Sequence, residues 1–208
     1  MKYFYLHGFA SSPRSTKARQ LCDRFQSIHL SLEVPDLNQN DFPHLTLTRQ
    51  IQQVKSLLHD EPVTLIGSSF GGLTAAWIAE QCDQIDRVVL LAPAFNYLNH
   101  WLPAFDPSDL ERWRSGVPIL IYHYGIGGSL PLNYDIVSDL KNYDEAQIKK
   151  PIPTLVLHGV HDEVIPIAQS RLYVKDRSWV NLIELDSDHS LVNQEAQIWQ
   201  AIQEFCSL

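Results

Sequence analysis

Short apolar segments alternate along the chain with segments of helical periodicity, and this alternation restricts the possible folds more than any other feature. Most of the apolar segments are nearly continuous in apolar character, which is typical of strands covered on both faces in a parallel sheet. Ile28–Val34 instead alternates between apolar and polar residues, which indicates an edge strand. The six predicted strands are Tyr3–Leu6, Ile28–Val34, Val63–Ile66, Arg87–Leu91, Thr154–Leu157 and Val180–Leu185.

Helix-like segments lie between these strands. Their apolar residues recur three or four positions apart, as Ile51, Val54 and Leu58 do, so each helix has one apolar stripe. Strands joined through helices form right-handed crossovers, so we expect the α/β class: a minimal, doubly wound, mainly parallel six-stranded sheet with helices on both faces. A ligand site then lies beyond the carboxyl ends of the strands. The predicted helices are Thr16–Phe25, Leu45–His59, Gly71–Gln81, Ile167–Val174 and Leu191–Phe205.

The segment from about residue 95 to 153 interrupts this alternation. Because 208 residues suit one domain better than two, we interpret residues 1–208 as a single domain with a small cap-like insertion over that segment. So long a segment is not a bare loop in a compact domain. We expect short helices at Pro107–Arg114 and Asn133–Asn142 around the apolar run Val117–Tyr124.

Charge and cysteine content narrow the classes of partner. The net charge is −8 and the basic residues are scattered, so we expect neither nucleic acid nor an anionic membrane as a partner. Cys22, Cys82 and Cys206 are far apart and form no CxxC pair, which fits a reducing compartment. No apolar run approaches about 18 residues. We therefore expect a cytoplasmic protein, and no sequence signal indicates an oligomeric state.

The strongest motif is Gly67-Ser68-Ser69-Phe70-Gly71, which follows a predicted strand and opens a predicted helix. In a GxSxG elbow of this kind the chain turns sharply and exposes the central serine, and the flanking glycines avoid collisions that a Cβ would cause. The motif predicts Ser69 as a nucleophile. The alternative is a structural Ser-Gly turn.

A serine hydroxyl needs a base to accept its proton and a carboxylate to orient that base. Asp162 lies on the loop after the strand Thr154–Leu157, and His189 lies directly after the last predicted strand. We predict Asp162 as the acid, with Glu163 and Asp144 as competing carboxylates, and His189 as the base. The alternative without a catalytic role is a loop carboxylate that caps a helix for Asp162, and an exposed loop histidine for His189.

Acyl transfer also needs two N–H donors that stabilise the oxyanion. The N–H of Phe70 follows the proposed nucleophile, and Phe9 is the best second candidate because its loop follows the first strand. We expect His7 and Gly8 to shape this turn, with His7 bonded to the loop backbone.

Four motifs together resemble the α/β-hydrolase superfamily, in the small-esterase branch that includes the YqiA-like and YcfP-like proteins. They are His7-Gly8-Phe9, Gly67-Ser68-Ser69-Phe70-Gly71-Gly72, His158-Gly159-Val160-His161-Asp162-Glu163-Val164-Ile165-Pro166 and Asp188-His189. The resemblance implies Ser69 as nucleophile, Asp162 as acid, His189 as base, and Phe9 with Phe70 as the oxyanion hole. It also implies hydrolysis of an ester or thioester. Many relatives begin with an antiparallel hairpin, whereas the first predicted strand here starts at Lys2.

We therefore expect a carboxylesterase-type serine hydrolase that cleaves small acyl esters through an acyl-enzyme, with neither a metal nor an organic cofactor. The alternatives are a thioesterase, a C–C bond hydrolase acting on a small metabolite, and a non-catalytic binding module that keeps the pocket.

Other candidate features carry weaker signals. A metal site in His158-Gly159-Val160-His161-Asp162 is disfavoured because the two histidine rings are awkwardly placed after a strand and no third ligand is evident. The run Gly125-Ile126-Gly127-Gly128 lacks the context of a phosphate loop. Residues 122–124 either line an acyl pocket or belong to the core. Trp101 and Trp113 either cover the site or pack the insertion onto the body.

Overall fold

The computed structural model describes residues 1–208, which form eight strands and eight α-helices. The strands are β1 (Lys2–Leu6), β2 (Leu32–Glu33), β3 (Val63–Ser68), β4 (Ile85–Leu91), β5 (Ile119–His123), β6 (Gly128–Leu132), β7 (Thr154–Gly159) and β8 (Val180–Leu185). The helices are α1 (Thr16–Ser27), α2 (Leu47–Leu57), α3 (Phe70–Gln81), α4 (Tyr97–Trp101), α5 (Pro107–Arg114), α6 (Asp135–Leu140), α7 (Ala168–Val174) and α8 (Glu195–Cys206).

Six strands form one sheet in the order β2-β1-β3-β4-β7-β8, and every adjacent pair is parallel. The predicted doubly wound sheet is thereby confirmed. Successive side chains of β1 point to opposite faces, as the two-residue period of a strand requires. Phe4 and Leu6 enter a core that they share with α2, α3 and α7, whereas Tyr3 and Tyr5 enter a second core with α1 and α8.

The predicted strand at Ile28–Val34 is wrong over its first four residues. Helix α1 continues to Ser27, and His29 then adopts a left-handed conformation with φ 61°. The N–H groups of His29 and Leu30 donate to carbonyls in the last turn of α1, so the chain reverses there instead of extending. Only Leu32–Glu33 pairs with β1, at the edge of the sheet, where the alternating pattern placed it.

Helix α3 is buried on nearly all sides, and its first ten residues, 70–79, all lie in the interior. It contacts the sheet on one side and α2 on the other, where the Thr74 hydroxyl donates to the Gln50 side chain at 2.8 Å. Because α3 starts directly after β3, this packing fixes the turn that contains Ser69.

The chain between β4 and β7 folds as α4, α5, an antiparallel hairpin of β5 and β6, and α6. The helix predicted at Pro107–Arg114 is confirmed, and the one predicted at Asn133–Asn142 is shorter, at Asp135–Leu140. The apolar run Val117–Tyr124 supplies β5. The sequence did not reveal its partner β6, because Pro131 cannot donate a ladder hydrogen bond and obscures the strand pattern.

Trp113 holds this segment together. Its side chain is fully buried, its Nε1–H donates to the Leu132 carbonyl at 2.8 Å, and its ring packs edge-on against Trp101 and Tyr134. Trp113 therefore packs the segment onto the core, one of the two roles considered for it.

The helices of the structure are all too short or too polar to cross a lipid bilayer.

We expect Trp113→Ala to lower the free energy of unfolding by about 3–5 kcal/mol, because it leaves a large cavity and an unpaired carbonyl. Urea unfolding at neutral pH measures this loss. The matched control is Tyr124→Ala, because Tyr124 is 77 % exposed, and its effect should stay within about 0.5 kcal/mol. A loss below about 1 kcal/mol for Trp113→Ala would contradict the packing role.

Candidate active site

Ser69 occupies the turn between β3 and α3 in a strained backbone conformation, with φ 54° and ψ −119°. A residue other than glycine in a sparsely populated region costs about 1–3 kcal/mol and persists only where its surroundings enforce it. Here the Ser69 N–H donates to the Leu91 carbonyl at 2.9 Å, and the Ser69 carbonyl accepts from Gly72, Leu73 and Ala94 at 2.8–3.1 Å. These bonds tie the turn to β4 and to the first turn of α3.

The two flanking glycines are required by close packing. A Cβ on Gly71 would collide with the carbonyl oxygens of Leu6 and His7, and one on Gly67 would collide with the backbone of Gly71. The start of α3 therefore lies directly against the end of β1, as the motif predicted. Neither glycine has a positive φ, so space rather than backbone conformation excludes a side chain.

His189 follows β8 and reaches Ser69 across the edge of the sheet. Its Nε2 is 3.0 Å from Ser69 Oγ, and its Nδ1 is 2.7 Å from Asp162 Oδ2. The carboxylate accepts from Nδ1–H, which leaves Nε2 free to accept from the serine hydroxyl. The structure thus brings together the three residues that the sequence singled out, and His189 keeps 22 % of its side chain exposed to solvent.

Asp162 follows β7, and its side chain is fully buried. Oδ1 accepts from the N–H groups of Val164 and Ile165 at 2.9 and 2.8 Å, and Oδ2 lies 3.0 Å from His158 Nε2 in addition to its contact with His189. Burial by itself would raise the pKa of Asp162, but the hydrogen bonds from His158 and His189 outweigh it and hold the pKa well below its usual range. The group is therefore ionised at neutral pH.

The competing carboxylates are elsewhere. Glu163 is exposed and makes no hydrogen bond to a histidine, and Asp144 is exposed and accepts from the Ala146 N–H at 3.0 Å, which caps a short 3₁₀ turn. Neither contacts His189.

The loop after β1 lies against the serine. A Cβ on Gly8 would be 3.3 Å from Ser69 Cβ, so the peptide that joins Gly8 to Phe9 is next to the nucleophile candidate. The Phe9 N–H makes no hydrogen bond within the protein, and Phe70 is the first residue of α3, where N–H groups have no partner in the helix. These are the two donors that the sequence suggested.

His7 shapes this loop. Its Nδ1 lies 3.0 Å from the Gly8 carbonyl, and its Nε2 accepts from the Leu37 N–H at 3.0 Å. The predicted bonding of His7 to the loop backbone is confirmed.

Aromatic side chains surround Phe9. Its ring centroid lies 5.2 Å from that of Trp101, 5.7 Å from that of Phe42 and about 6 Å from those of Phe70 and Tyr97. Trp101 therefore contacts the loop that borders the site, in contrast to Trp113.

The side chains of residues 122–124 lie partly at the surface and partly in the core. Tyr122 and Tyr124 are exposed, whereas His123 is buried edge-on against Phe42. The backbone N–H of Tyr124 donates to the Ala10 carbonyl at 2.8 Å, which ties the hairpin to the loop after β1. The glycine-rich run that follows forms the hairpin turn.

His158 and His161 have different partners. His158 is buried beside Asp162, whereas His161 is exposed and pairs with Asp186 at 2.9 Å. The contact between His158 and Asp162 was missed from the sequence, although their spacing of four residues in the chain was visible.

Glu145 is a second group that the sequence did not indicate. Its carboxylate accepts from the Asn96 N–H at 2.8 Å and so holds the loop after β4, in which Ala94 donates to Ser69. Burial raises the pKa of Glu145 to about 7, although the hydrogen bond from Asn96 opposes the shift.

The order of the parallel strands, with a serine, an acid and a histidine on the loops after β3, β7 and β8, is that of the α/β-hydrolase fold. Solved structures of that fold superpose along nearly the whole length of the chain. Alpha/beta hydrolase domain-containing protein 10 from mouse is 21 % identical, with a TM-score of 0.77 over 99 % of this chain and 89 % of that one.

Two further solved structures share this fold. Est1E from Butyrivibrio proteoclasticus is 18 % identical, with a TM-score of 0.75 over 99 % of this chain and 87 % of that one. The monoacylglycerol lipase of Paleococcus ferrophilus is 17 % identical, with a TM-score of 0.69 over 98 % and 92 %. The chain belongs to UPF0227, described as an uncharacterised protein family, whose model matches residues 2–206.

We expect Glu145→Gln to stabilise the protein at high pH while keeping the acceptor for Asn96. The folded-state pKa of about 7 lies above the unfolded value of about 4.3, so the unionised carboxyl favours folding below pH ~4, and this contribution is lost as the pH rises to 7. The variant should match the wild type near pH 4 and exceed its free energy of unfolding by about 1–3 kcal/mol at pH 8.

Urea unfolding between pH 4 and 8 measures this difference. A pH-independent difference for Glu145→Gln would contradict the raised pKa.

Proposed function

We propose that the protein is a serine hydrolase of the carboxylesterase type, which cleaves small acyl esters through an acyl-enzyme intermediate. The observation that carries this proposal is the continuous hydrogen-bond chain from Ser69 Oγ to His189 at 3.0 Å and from His189 to Asp162 at 2.7 Å. Nucleophile, base and orienting acid are then in mutual contact before any substrate binds.

In the first step, Ser69 Oγ attacks the ester carbonyl carbon while its proton moves to His189 Nε2. His189 becomes positively charged, and the neighbouring ionised Asp162 stabilises that charge without taking the proton. The low pKa of Asp162 supports this role, because a carboxylate held in its charged form is a poor proton acceptor.

The carbonyl oxygen becomes negative as its double bond to carbon opens. We assign the N–H groups of Phe9 and Phe70 to that oxygen, and the latter is aided by the amino-terminal dipole of α3. Removal of one such donor typically costs about 3–4 kcal/mol of transition-state stabilisation.

Collapse of the tetrahedral intermediate breaks the bond to the leaving alcohol, which takes its proton from His189. Water then enters, His189 accepts a proton from it, and the resulting hydroxide attacks the acyl carbon. The proton returns from His189 to Ser69 Oγ as the acid leaves, which restores the resting state. The same His189 Nε2 thus serves as base and acid in turn.

The names of structural neighbours favour an ester substrate. Est1E has been crystallised with ferulic acid, and the Paleococcus protein is named a monoacylglycerol lipase. The aromatic rings around Phe9 offer an apolar surface next to the proposed oxyanion donors, which suits an apolar acyl or alcohol group.

Ser69→Ala should abolish labelling by a fluorophosphonate probe and lower turnover of p-nitrophenyl acetate by at least about 10³-fold, because Ser69 carries the hydroxyl that is hydrogen-bonded to His189. Ser68→Ala is the matched control and should keep both activities. Gel fluorescence with peptide mapping identifies the labelled serine, and urea unfolding verifies that both variants fold. Turnover by Ser69→Ala equal to that of the wild type would reject Ser69 as the nucleophile, and absence of labelling in the folded wild type would favour a binding module.

The bond that is cleaved can be identified by competition among three substrate classes. We expect kcat/KM to be highest for an oxygen ester, lower for the matching acyl-coenzyme A thioester and lowest for a vinylogous diketone. Continuous assays with the same acyl group measure all three values. A preference for the thioester by tenfold or more would change the assignment to thioesterase, and a preference for the diketone would change it to C–C hydrolase.

A further inference from the structure

A second histidine contacts the same carboxylate oxygen that binds His189. His158 stands near the end of β7, fully buried, and its Nε2 lies 3.0 Å from Asp162 Oδ2. The same Nε2 is 2.9 Å from the Ile165 carbonyl oxygen. His158 therefore contacts both ends of the Asp162–Ile165 loop from the protein interior, while His189 contacts Asp162 from the solvent side.

The partners of His158 determine where its proton lies. Both groups facing Nε2, the Asp162 carboxylate and the Ile165 carbonyl, are acceptors only, so Nε2 must carry a hydrogen. Nδ1 lies 2.7 Å from the hydroxyl of Ser170, a fully buried residue of α7. A neutral imidazole with its hydrogen on Nε2 accepts from that hydroxyl and satisfies every polar atom of the ring.

We propose that His158, held in this tautomer by Ser170, is a positioning residue that limits the negative charge that Asp162 presents to His189. The inference rests on the proposed hydrolase function and adds a residue outside the Ser69, His189 and Asp162 set. His158 makes no hydrogen bond to Ser69 or to His189.

The environment of the Asp162 carboxylate determines how much of its charge faces His189. An ionised carboxylate has about four acceptor positions, and Asp162 accepts from the N–H groups of Val164, Ile165 and His189. The fourth neighbour is His158 Nε2, whose hydrogen lies between Asp162 Oδ2 at 3.0 Å and the Ile165 carbonyl at 2.9 Å. The two histidines share Oδ2. When the His158 N–H is removed, His189 becomes the sole donor to Oδ2, and the charge on that oxygen is stabilised less by other groups.

Two consequences follow for catalysis. The more basic carboxylate stabilises the protonated form of His189, so the acid limb of the pH–rate profile moves to higher pH. The loop that carries Asp162 also loses both of its contacts with His158, at Asp162 Oδ2 and at the Ile165 carbonyl, because Nε2 makes both, so the carboxylate is oriented less well and kcat falls.

Other charged groups near the site are unchanged in such a variant. Lys17 on α1 faces Asp162 and Asp188, and burial lowers the pKa of Lys17 to about 8, so it remains a cation over the acid limb. Asp188 lies beside His189, and Glu184 on β8 faces His158 while bonded to Arg171 of α7 at 2.6–2.7 Å. A shift of the acid limb that appears only when the His158 N–H is absent therefore reports on the contact between His158 and Asp162.

The test compares His158→Leu with His158→Gln in the full-length protein. Leucine fills the site without a donor, whereas the glutamine amide nitrogen is as many bonds from Cβ as Nε2 is and can donate to Asp162. For p-nitrophenyl acetate, we expect His158→Leu to lower kcat by about 10–100-fold with KM within about threefold. Its acid limb in kcat/KM should move up by about 0.5–1 pH unit. His158→Gln should return the limb to the wild-type position and recover most of kcat.

The results separate this role from the proposed function. An unchanged acid limb and unchanged kcat in a folded His158→Leu, with normal fluorophosphonate labelling at Ser69, overturn the role of His158 alone. Absence of Ser69-dependent labelling in the wild type overturns the hydrolase and this role with it. A lowered melting temperature with the wild-type acid limb in both variants identifies a purely structural residue and also rejects the proposal.

A measurement on the wild type keeps the inference testable if His158→Leu does not fold. Long-range ¹H–¹⁵N spectra of histidine-labelled protein distinguish the two neutral tautomers. We expect His158 to hold its hydrogen on Nε2 at neutral pH. A hydrogen on Nδ1 with Nε2 bare would exclude donation to Asp162 and overturn the proposal.

Discussion

The contact between the start of α3 and the end of β1 is the constraint on which the site depends. It exists because Gly71 has no side chain, so that the helix backbone lies against the carbonyl oxygens of Leu6 and His7. The same contact forces the chain to turn at Ser69 within one residue, and hydrogen bonds to β4 and α3 offset the resulting backbone strain. A larger residue at Gly71 would separate α3 from the loop that contains Phe9 and so would separate the two proposed oxyanion donors.

The second determinant is the contrast in environment between Asp162 and His189. Asp162 is withdrawn from water, and its charge is stabilised by the four N–H groups that face it instead of by solvent. His189 stays partly exposed to solvent. The site therefore combines a buried, ionised carboxylate with a partly exposed imidazole, which is the division of roles that the proposed acyl transfer requires.

Sequence patterns predicted the sheet and the three residues Ser69, Asp162 and His189 because each depends on local order: a strand, a turn residue and the following helix. They failed where tertiary contacts decide the outcome. The strand predicted from Ile28 is short because the N–H groups of His29 and Leu30 donate to carbonyls at the end of α1. Strand β6 was not predicted because Pro131 obscures its strand pattern. The contact of His158 with Asp162 arises because the chain folds back at Ile165, and no periodicity signals that fold.

The two proposed oxyanion donors depend on different parts of the molecule. Phe70 is fixed because α3 is buried against the sheet, whereas Phe9 lies on a loop that is stabilised by contacts with the chain between β4 and β7. In these contacts Trp101 packs on the Phe9 ring, and the Tyr124 N–H donates to the Ala10 carbonyl. Sequence change in that chain can thus move one donor and the adjacent aromatic surface while the nucleophile and the other donor stay in place. This arrangement allows substrate preference to vary without disturbance of the Ser69, His189 and Asp162 contacts.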